Sequence, residues 1–370
     1  MKDQLSIGIL GAGGFAAFAA KAFLKIEGVR IQGVSDIESY HARQLANEIN
    51  ALVYPEYEQM LEDSAIDLIY IATPPYLHYT QSKLALHAGK HVICEKPAAL
   101  KTSEAEELAA YANANGLLYT VNLMQRYNPL YATVKTIIEE KWLGDFVHGF
   151  FENYASDEKL VPEHWFWERE KSGGIFIEHG VHFFDMFDGW FGKGQLIHSM
   201  EIARENTGRE IDDRVQAVVL YNNSPVNFYH GFNQPKVLDR QELRLQFERG
   251  DITLYEWVPV KIRMHGVFTK DQFEKISQYF PNAVIDVIET PTGERQHVRG
   301  NFKDIVYDAL MTITSGDIKD KMDRYEQLVM SMLKDQWAWI KDRTHRRVID
   351  ESNAVESLRI AEEATSMGIS

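Results

Sequence analysis

The chain has 370 residues, of which 45% are apolar and 25% charged. That is long enough for two domains with a core each, and the composition is that of an ordinary soluble globular protein. The net charge is −15. It argues against nucleic acid and anionic membranes as partners, which need a basic face, and weakly against a highly anionic substrate. The single cysteine, Cys94, excludes an intrachain disulfide and fits a reducing compartment, where it reads as a buried, inert thiol. No basic-then-apolar leader pattern opens the sequence, and no apolar run reaches membrane-spanning length. The expectation is a cytoplasmic protein.

The first predicted strand, Leu5 to Leu10, breaks into Gly11-x-Gly13-x-x-Ala16 and then into a small-residue helix, Ala17 to Leu24. A second apolar segment, Val29 to Val34, ends at Asp36, 25 positions after Gly11. Strand, glycine turn, helix, strand and acid is the order that a dinucleotide requires. The first glycine makes the tight turn, the second admits the pyrophosphate to the backbone, and the third small residue lets helix and strand pack closely. Gly11, Gly13, Gly14, Phe15 and Ala16 are therefore the candidate phosphate cradle at a helix N-terminus. Asp36 can accept hydrogen bonds from a ribose and would repel a 2′-phosphate, so NAD is expected over NADP. The plain alternative is a tight βα turn without a ligand.

Strand patterns recur at 67–72, 90–94 and 117–121, with helical patterns at 38–49, 55–62, 76–88 and 103–115 between them. This alternation predicts an α/β domain, a doubly wound parallel sheet of the Rossmann type over residues 1–123. Ser103 with Glu106 reads as a capping box, and Asn115-Gly116 as a helix end. Thr73-Pro74-Pro75 and Glu95-Lys96-Pro97 fall at strand ends, where ligands of open α/β sheets bind. The prolines at 74 and 75 are expected to prevent a regular helix start. Thr73, Pro74, His78, Glu95 and Lys96 join the candidate cofactor edge, although His78 at the next helix start also suits a cap or a packing role, and a lysine is most often simply exposed.

After residue 124 the pattern changes. A helix follows Asn128-Pro129, and strand-like runs appear at 145–154, 195–203, 214–221, 226–232, 242–248, 251–256 and 259–264. Short turns between successive strands predict a C-terminal α+β domain over 124–370 with an open, largely antiparallel sheet. An amphipathic helix is predicted over 317–343, through Met322, Tyr325, Val329, Met332, Leu333, Trp337 and Ile340, and a last helix over 353–367. The stretch 266–316 gives no clear pattern.

The segment from Ser172-Gly173-Gly174 to Asp185 carries the second cluster. If it is helical from about residue 177, Glu178, His182 and Asp185 share one face. Three titratable groups in an apolar segment are costly unless partnered or used. His182 is the natural proton acceptor for an alcohol, with a carboxylate one turn away to orient it. A metal site including His179 and a structural hydrogen-bond network are the competing readings.

Taken together, the glycine fingerprint, Asp36, Thr73-Pro74, Glu95-Lys96-Pro97 and the Gly-Gly…His…Asp segment resemble the glucose–fructose oxidoreductase, inositol dehydrogenase and rhizopine-catabolism (Gfo/Idh/MocA) family. The resemblance runs nearly end to end, with Asn122 to Pro129 similar to the crossover after the sixth Rossmann strand. It implies a nicotinamide-dependent dehydrogenase acting on a hydroxyl or carbonyl of a sugar, cyclitol or derivative. Carried over, Lys96 polarises the reacting oxygen, His182 is the acid/base, and the Lys96–Pro97 peptide is cis. The resemblance also implies a homodimer or homotetramer built on the open sheet. No metal is expected. Glu178 stands where the family usually has aspartate. Arg126, Tyr154, Trp165, Trp167 and His179 are candidates for the substrate wall. The rival from another class is a non-enzymatic NAD(H)-binding sensor. An NAD-dependent glycosidase is a further rival whose signature the sequence does not carry.

Overall fold

The structure, a computed structural model, describes residues 4–204, 211–290, 296–300 and 302–368. The chain divides into two compact units: Met1–Tyr127 with Pro162–Asp185 and Tyr325–Ser370, and Asn128–Val161 with Met186–Arg324. A division at 123/124 puts residues 162–185 and 325–370 in the second domain. By their contacts these segments belong to the first unit.

The first unit opens with β1 (Leu5–Leu10), α1 (Gly14–Phe23), β2 (Val29–Ser35), α2 (Ser39–Ile49) and β3 (Leu52–Val53). It continues with α3 (Tyr57–Glu62), β4 (Leu68–Ile71), α4 (Pro75–His87), β5 (His91–Cys94), α5 (Thr102–Asn115) and β6 (Tyr119–Val121). The six strands form one parallel sheet in the order β3-β2-β1-β4-β5-β6. β1, β4 and β6 are buried along their whole length, which is why they read as unbroken apolar runs without alternation. β3 is an exposed two-residue edge strand, too short to leave a periodic signal.

Two local expectations are corrected. α5 starts at Thr102, with no side-chain cap from Lys101 and none from a Ser103–Glu106 box. Glu362 caps it instead, accepting from Thr102 N at 2.7 Å and Thr102 Oγ1 at 2.5 Å. The prolines do not disrupt α4: Pro75 is its first residue, where a missing N–H costs nothing.

The chain then forms α6 (Pro129–Glu139), capped by the Asn128 side chain, and β7 (Phe146–Ser156). Next come the short α7 (Arg169–Ser172), a π-helical turn over Phe176–Gly180 and α8 (Val181–Phe191). β8 (Gln195–Arg204), β9 (Ile211–Tyr221), β10 (Ser224–Gln234), β11 (Arg240–Phe247), β12 (Gly250–Tyr255) and β13 (Lys261–Phe268) follow. In the unpatterned stretch lie α9 (Lys270–Tyr279), β14 (Val284–Glu289), β15 (Gln296–Gly300), β16 (Lys303–Tyr307) and β17 (Ala309–Ser315). The last helices are α10 (Lys321–Lys341) and α11 (Glu351–Gly368). Met322, expected on the apolar face of α10, is exposed.

The second unit holds a nine-stranded sheet, β14-β17-β13-β12-β11-β7-β10-β9-β8. It is antiparallel except between β7 and β10. β9, β11 and β13 alternate buried and more exposed residues, so this sheet has one covered and one open face. Among the described residues, no helix is long and apolar enough to cross a membrane.

Candidate active site

All six strands of the first sheet run the same way, so the turns after β1, β4 and β5 lie along one edge. The turn after β1 is built around Gly11 at φ +92°, where a Cβ would meet the Ala72 carbonyl oxygen at 2.6 Å. Only glycine fits that close approach. At Gly13 and Gly14 a Cβ would meet nothing within 4 Å. α1 begins there with no side chain capping it. Uncapped N–H groups at the head of a ten-residue helix, bordered by open space, fit a pyrophosphate. Phe15 and Ala16 lie in this first turn, with Ala16 fully buried. Asp36 is held by its backbone neighbours. It accepts from Ala12 N at 2.6 Å and from Glu38 N at 2.7 Å, so its carboxylate is fixed beside the turn. The adjoining Ile37 is fully exposed.

Lys96 follows β5, and its peptide bond to Pro97 is cis. Its Nζ donates to the Glu178 carbonyl at 2.7 Å and forms an ion pair with the Glu178 carboxylate. Glu178 sits in the π turn, where the Val181 N–H reaches back five residues to Phe176 O. Such turns recur at functional sites because they re-aim groups within a helix. Glu178 thus lies in a π turn, and not in the regular α-helix expected to align it with His182 and Asp185. The Glu178 carboxylate pairs with Lys96, and the Asp185 carboxylate with Arg126.

His182, on the first turn of α8, is buried. Burial, with the Lys96 charge nearby, pushes its pKa down to about 3. The ring is therefore neutral at physiological pH. Below it, Arg126 and Asp185 form a two-point ion pair, Nε to Oδ2 and Nη2 to Oδ1, both at 2.8 Å. Asp185 is 1% exposed and also faces the Asn353 amide at 3.4 Å. The Arg126 guanidinium is thus paired with Asp185 of α8.

Glu95 turns inward. It accepts from the Tyr70 hydroxyl and from Asn122 Nδ2 at 2.8 Å, and burial pushes its carboxyl above the usual range. Thr73 Oγ1 donates to Gln81 Oε1 at 2.5 Å, while Pro74 precedes the first residue of α4. Both His78 ring nitrogens face backbone carbonyls. Trp165 and Trp167 lie in a short 3-10 turn on either side of buried Phe166, and His179 packs on Phe183 with ring centres 5.4 Å apart. Tyr154 belongs to the second unit, packed on Tyr229 and under the Arg240 guanidinium. Sequence reading gives no sign of Gln81 or Asn353, because lone amides in helices carry no periodic signature. Among the described residues, no group of three or more His, Cys, Asp or Glu is placed to hold a metal ion.

The neutral His182 has a measurable consequence. Below pH 6.5 the unfolded chain protonates this histidine and the folded chain does not, down to about pH 3. The unfolded state then binds more protons, so this group's contribution destabilises the fold as pH falls through that window. We expect His182→Gln to reduce the loss by about 1.4 kcal/mol per pH unit in urea unfolding between pH 6 and 4. Parallel wild-type and variant curves would contradict a neutral buried ring.

The Rossmann domain of the GFO/IDH/MocA oxidoreductase family, described as NAD-binding, matches residues 5–123, and the family's C-terminal domain matches residues 131–253. Two relatives come from Bacillus subtilis (strain 168). The chain is 29% identical to scyllo-inositol 2-dehydrogenase (NAD(+)), over 50% of this chain and 54% of the relative. It is 28% identical to scyllo-inositol 2-dehydrogenase (NADP(+)) IolW, over 57% and 58%. In eight curated relatives, the matched stretch takes in 47% to 80% of the relative's own length. A solved levoglucosan dehydrogenase in complex with NADH and L-sorbose has the same fold, with a TM-score of 0.77 at 15% identity over 99% of this chain and 97% of that one. With both domain models matched in order along it, the chain belongs to the GFO/IDH/MocA family of NAD-binding oxidoreductases.

Proposed function

We propose that the chain is a dehydrogenase that interconverts a secondary alcohol and its ketone on a sugar, cyclitol or derivative, with NAD preferred over NADP. The observation that carries this reading is the pairing of Lys96 with Glu178 next to a neutral, buried His182, on the sheet edge that also holds the glycine turn. Gly11 to Ala16 would hold the pyrophosphate and Asp36 the adenosine ribose. When bound, the nicotinamide supplies the two-electron acceptor that no side chain of the site offers.

The remaining chemistry belongs to the chain. A neutral His182 accepts the hydroxyl proton on a ring nitrogen as the carbon is oxidised. Lys96 exchanges its Glu178 contact for the substrate oxygen and stabilises the charge that develops there. Glu178 keeps the ammonium aimed until then. In the reverse direction the same two groups return the proton and polarise the carbonyl. The two inositol dehydrogenases among the relatives support a cyclitol or sugar as the substrate class.

The test is nicotinamide reduction or oxidation across cyclitols, aldoses, sugar acids and their keto forms, with NAD and NADP compared and His182→Ala as control. Turnover that disappears in the control supports the reading. Silence across the panel, with NAD binding intact, would favour a binding protein instead. For cofactor choice, we expect Asp36→Ala to weaken NAD⁺ binding about tenfold and NADP⁺ binding less, because only the ribose diol loses its charged acceptor. An unchanged preference in a fluorescence titration would remove Asp36 from that role.

A further inference from the structure

The parallel sheet has a second edge, at the starts of its strands. β1 is six residues long, so this edge lies roughly 17 Å from the glycine turn. A cavity of about 200 Å³ opens there. Its wall takes in Leu5 at the start of β1, Asp67 just before β4, His91 at the start of β5, and Trp337, Ile340 and Lys341 from the end of α10. Lys341 Nζ lies 3.9 Å from the centre of the Trp337 ring, and the Arg343 guanidinium 3.7 Å from that of Trp339. Among the described residues, neither cation has a carboxylate within ion-pairing distance. Asp342, between them in sequence, is turned onto Thr344 N at 2.9 Å and Thr344 Oγ1 at 2.7 Å. Arg347, which also faces Trp339, is paired with Glu351 at 2.7 Å. Partial desolvation and the Arg347 charge push the Arg343 guanidinium below its usual range.

His91 adds a neutral donor. Its Nδ1 accepts from Leu118 N at 3.0 Å, and burial, with the Arg343 charge nearby, lowers its pKa to about 4. A neutral imidazole has one N–H, and with Nδ1 accepting, that N–H is on Nε2. Among the described residues nothing accepts from it. Arg343 acts on this ring more strongly than Asp67 does, and the Asp67 carboxylate already accepts from Ser6 N at 3.1 Å. The wall therefore offers apolar surface, a neutral N–H donor and cations without a partner, in a chain whose net charge is −15.

We propose that this cavity is a second ligand site, which takes a small monocarboxylate with a planar apolar body. The body lies among Leu5, Trp337 and Ile340. Lys341 and His91 Nε2–H donate to the carboxylate, and Arg343 adds its charge. A dry cavity of about 150 Å³ holds benzene. The larger volume here has room for one ring and its carboxylate. The site is separate from the glycine turn and stands independently of the dehydrogenase reading.

The test is calorimetric titration of the full-length protein with phenylacetate, beside phenylacetamide, acetate and inorganic phosphate. The Trp337 indole N–H resonance, assigned by its loss in Trp337→Phe, reports whether the ligand enters this cavity. Phenylacetate is expected to bind and to move that resonance. Phenylacetamide should bind at least about tenfold more weakly, because it lacks the charge, and acetate likewise, because it lacks the ring. Lys341→Gln and Arg343→Gln alter exposed side chains, so both variants should fold, and each should weaken phenylacetate about tenfold. Saturating NAD⁺ should leave the Trp337 shift in place. Equal binding of phenylacetamide, or wild-type affinity in both variants, would overturn the site. Phosphate binding as tight as that of phenylacetate would reduce it to a bare basic patch and overturn it too. Absence of phenylacetate binding up to about 10 mM, or binding that leaves the Trp337 resonance unmoved or is displaced by NAD⁺, would also overturn it.

Discussion

Lys96→Ala and His182→Ala are each expected to lower kcat by about a hundredfold to a thousandfold while leaving NAD⁺ affinity within about twofold. The reasoning starts from where the two groups stand. Lys96 follows β5, at the same edge of the parallel sheet as the glycine turn, and its Nζ is held by both the carbonyl and the carboxylate of Glu178. Nothing in that arrangement touches the glycine turn, so its loss should be felt in the chemical step. His182 is neutral and buried, so its removal takes away a proton acceptor and leaves no unpaired charge behind. Lys96→Met keeps the apolar stem and separates lost charge from lost packing. Thermal unfolding of each variant excludes a folding defect, and a stopped-flow single turnover shows whether chemistry has slowed. Retained turnover in a folded variant would remove the role from that residue.

Arg126→Met is expected to destabilise the protein by about 3–5 kcal/mol, the usual cost of stranding a buried charge. Asp185 is 1% exposed, and both its carboxylate oxygens accept from Arg126. The Asn353 amide at 3.4 Å cannot replace a guanidinium. The double variant Arg126→Met, Asp185→Leu removes both charges and should recover much of the loss, as buried pairs replaced by apolar groups generally do. Urea unfolding of the wild type, both single variants and the double variant gives the coupling directly. If Arg126→Met unfolds at the wild-type midpoint, the pair is not holding α8. Asp185 is three residues beyond His182 on the same helix, so the single variants should also lower turnover.

The parallel sheet was legible because its buried strands are short apolar runs punctuated by glycine, proline and charged residues, and because the turn chemistry at Gly11 is visible in the sequence. The sheet of the second unit was legible where one face is covered, as in β9 and β13. β14 escaped because all six of its residues are exposed, which removes any alternation that burial would impose. α9 did carry a signal, the Thr269–Gln272 capping box. It is surrounded by polar residues that hide the helix's narrow apolar face. At the site, residue types and strand ends pointed to Lys96, Glu178 and His182. Who pairs with whom was not legible. A helix wheel puts Glu178 beside His182, whereas the π turn gives it to Lys96. The sequence likewise gives no sign that Arg126 pairs with Asp185, 59 residues away.

The Glu362 cap on α5 bears on the order in which this chain can be made. The start of α5 is satisfied by a residue 260 positions later, and α11 packs on α5 and β6. When residues 1–127 emerge from a ribosome they can form a sheet, but one outer flank stays bare and one helix start stays uncapped until residues 351–368 arrive. The other unit, Asn128–Val161 with Met186–Arg324, needs no such wait. The half of the molecule that is synthesised first is therefore the half that is finished last. Long-range closure of this kind is slow and exposes apolar surface in the interim. A ribosome stalled before residue 351 should accordingly present a nascent chain that recruits chaperones at its N-terminal part, while its middle part is already resistant to protease.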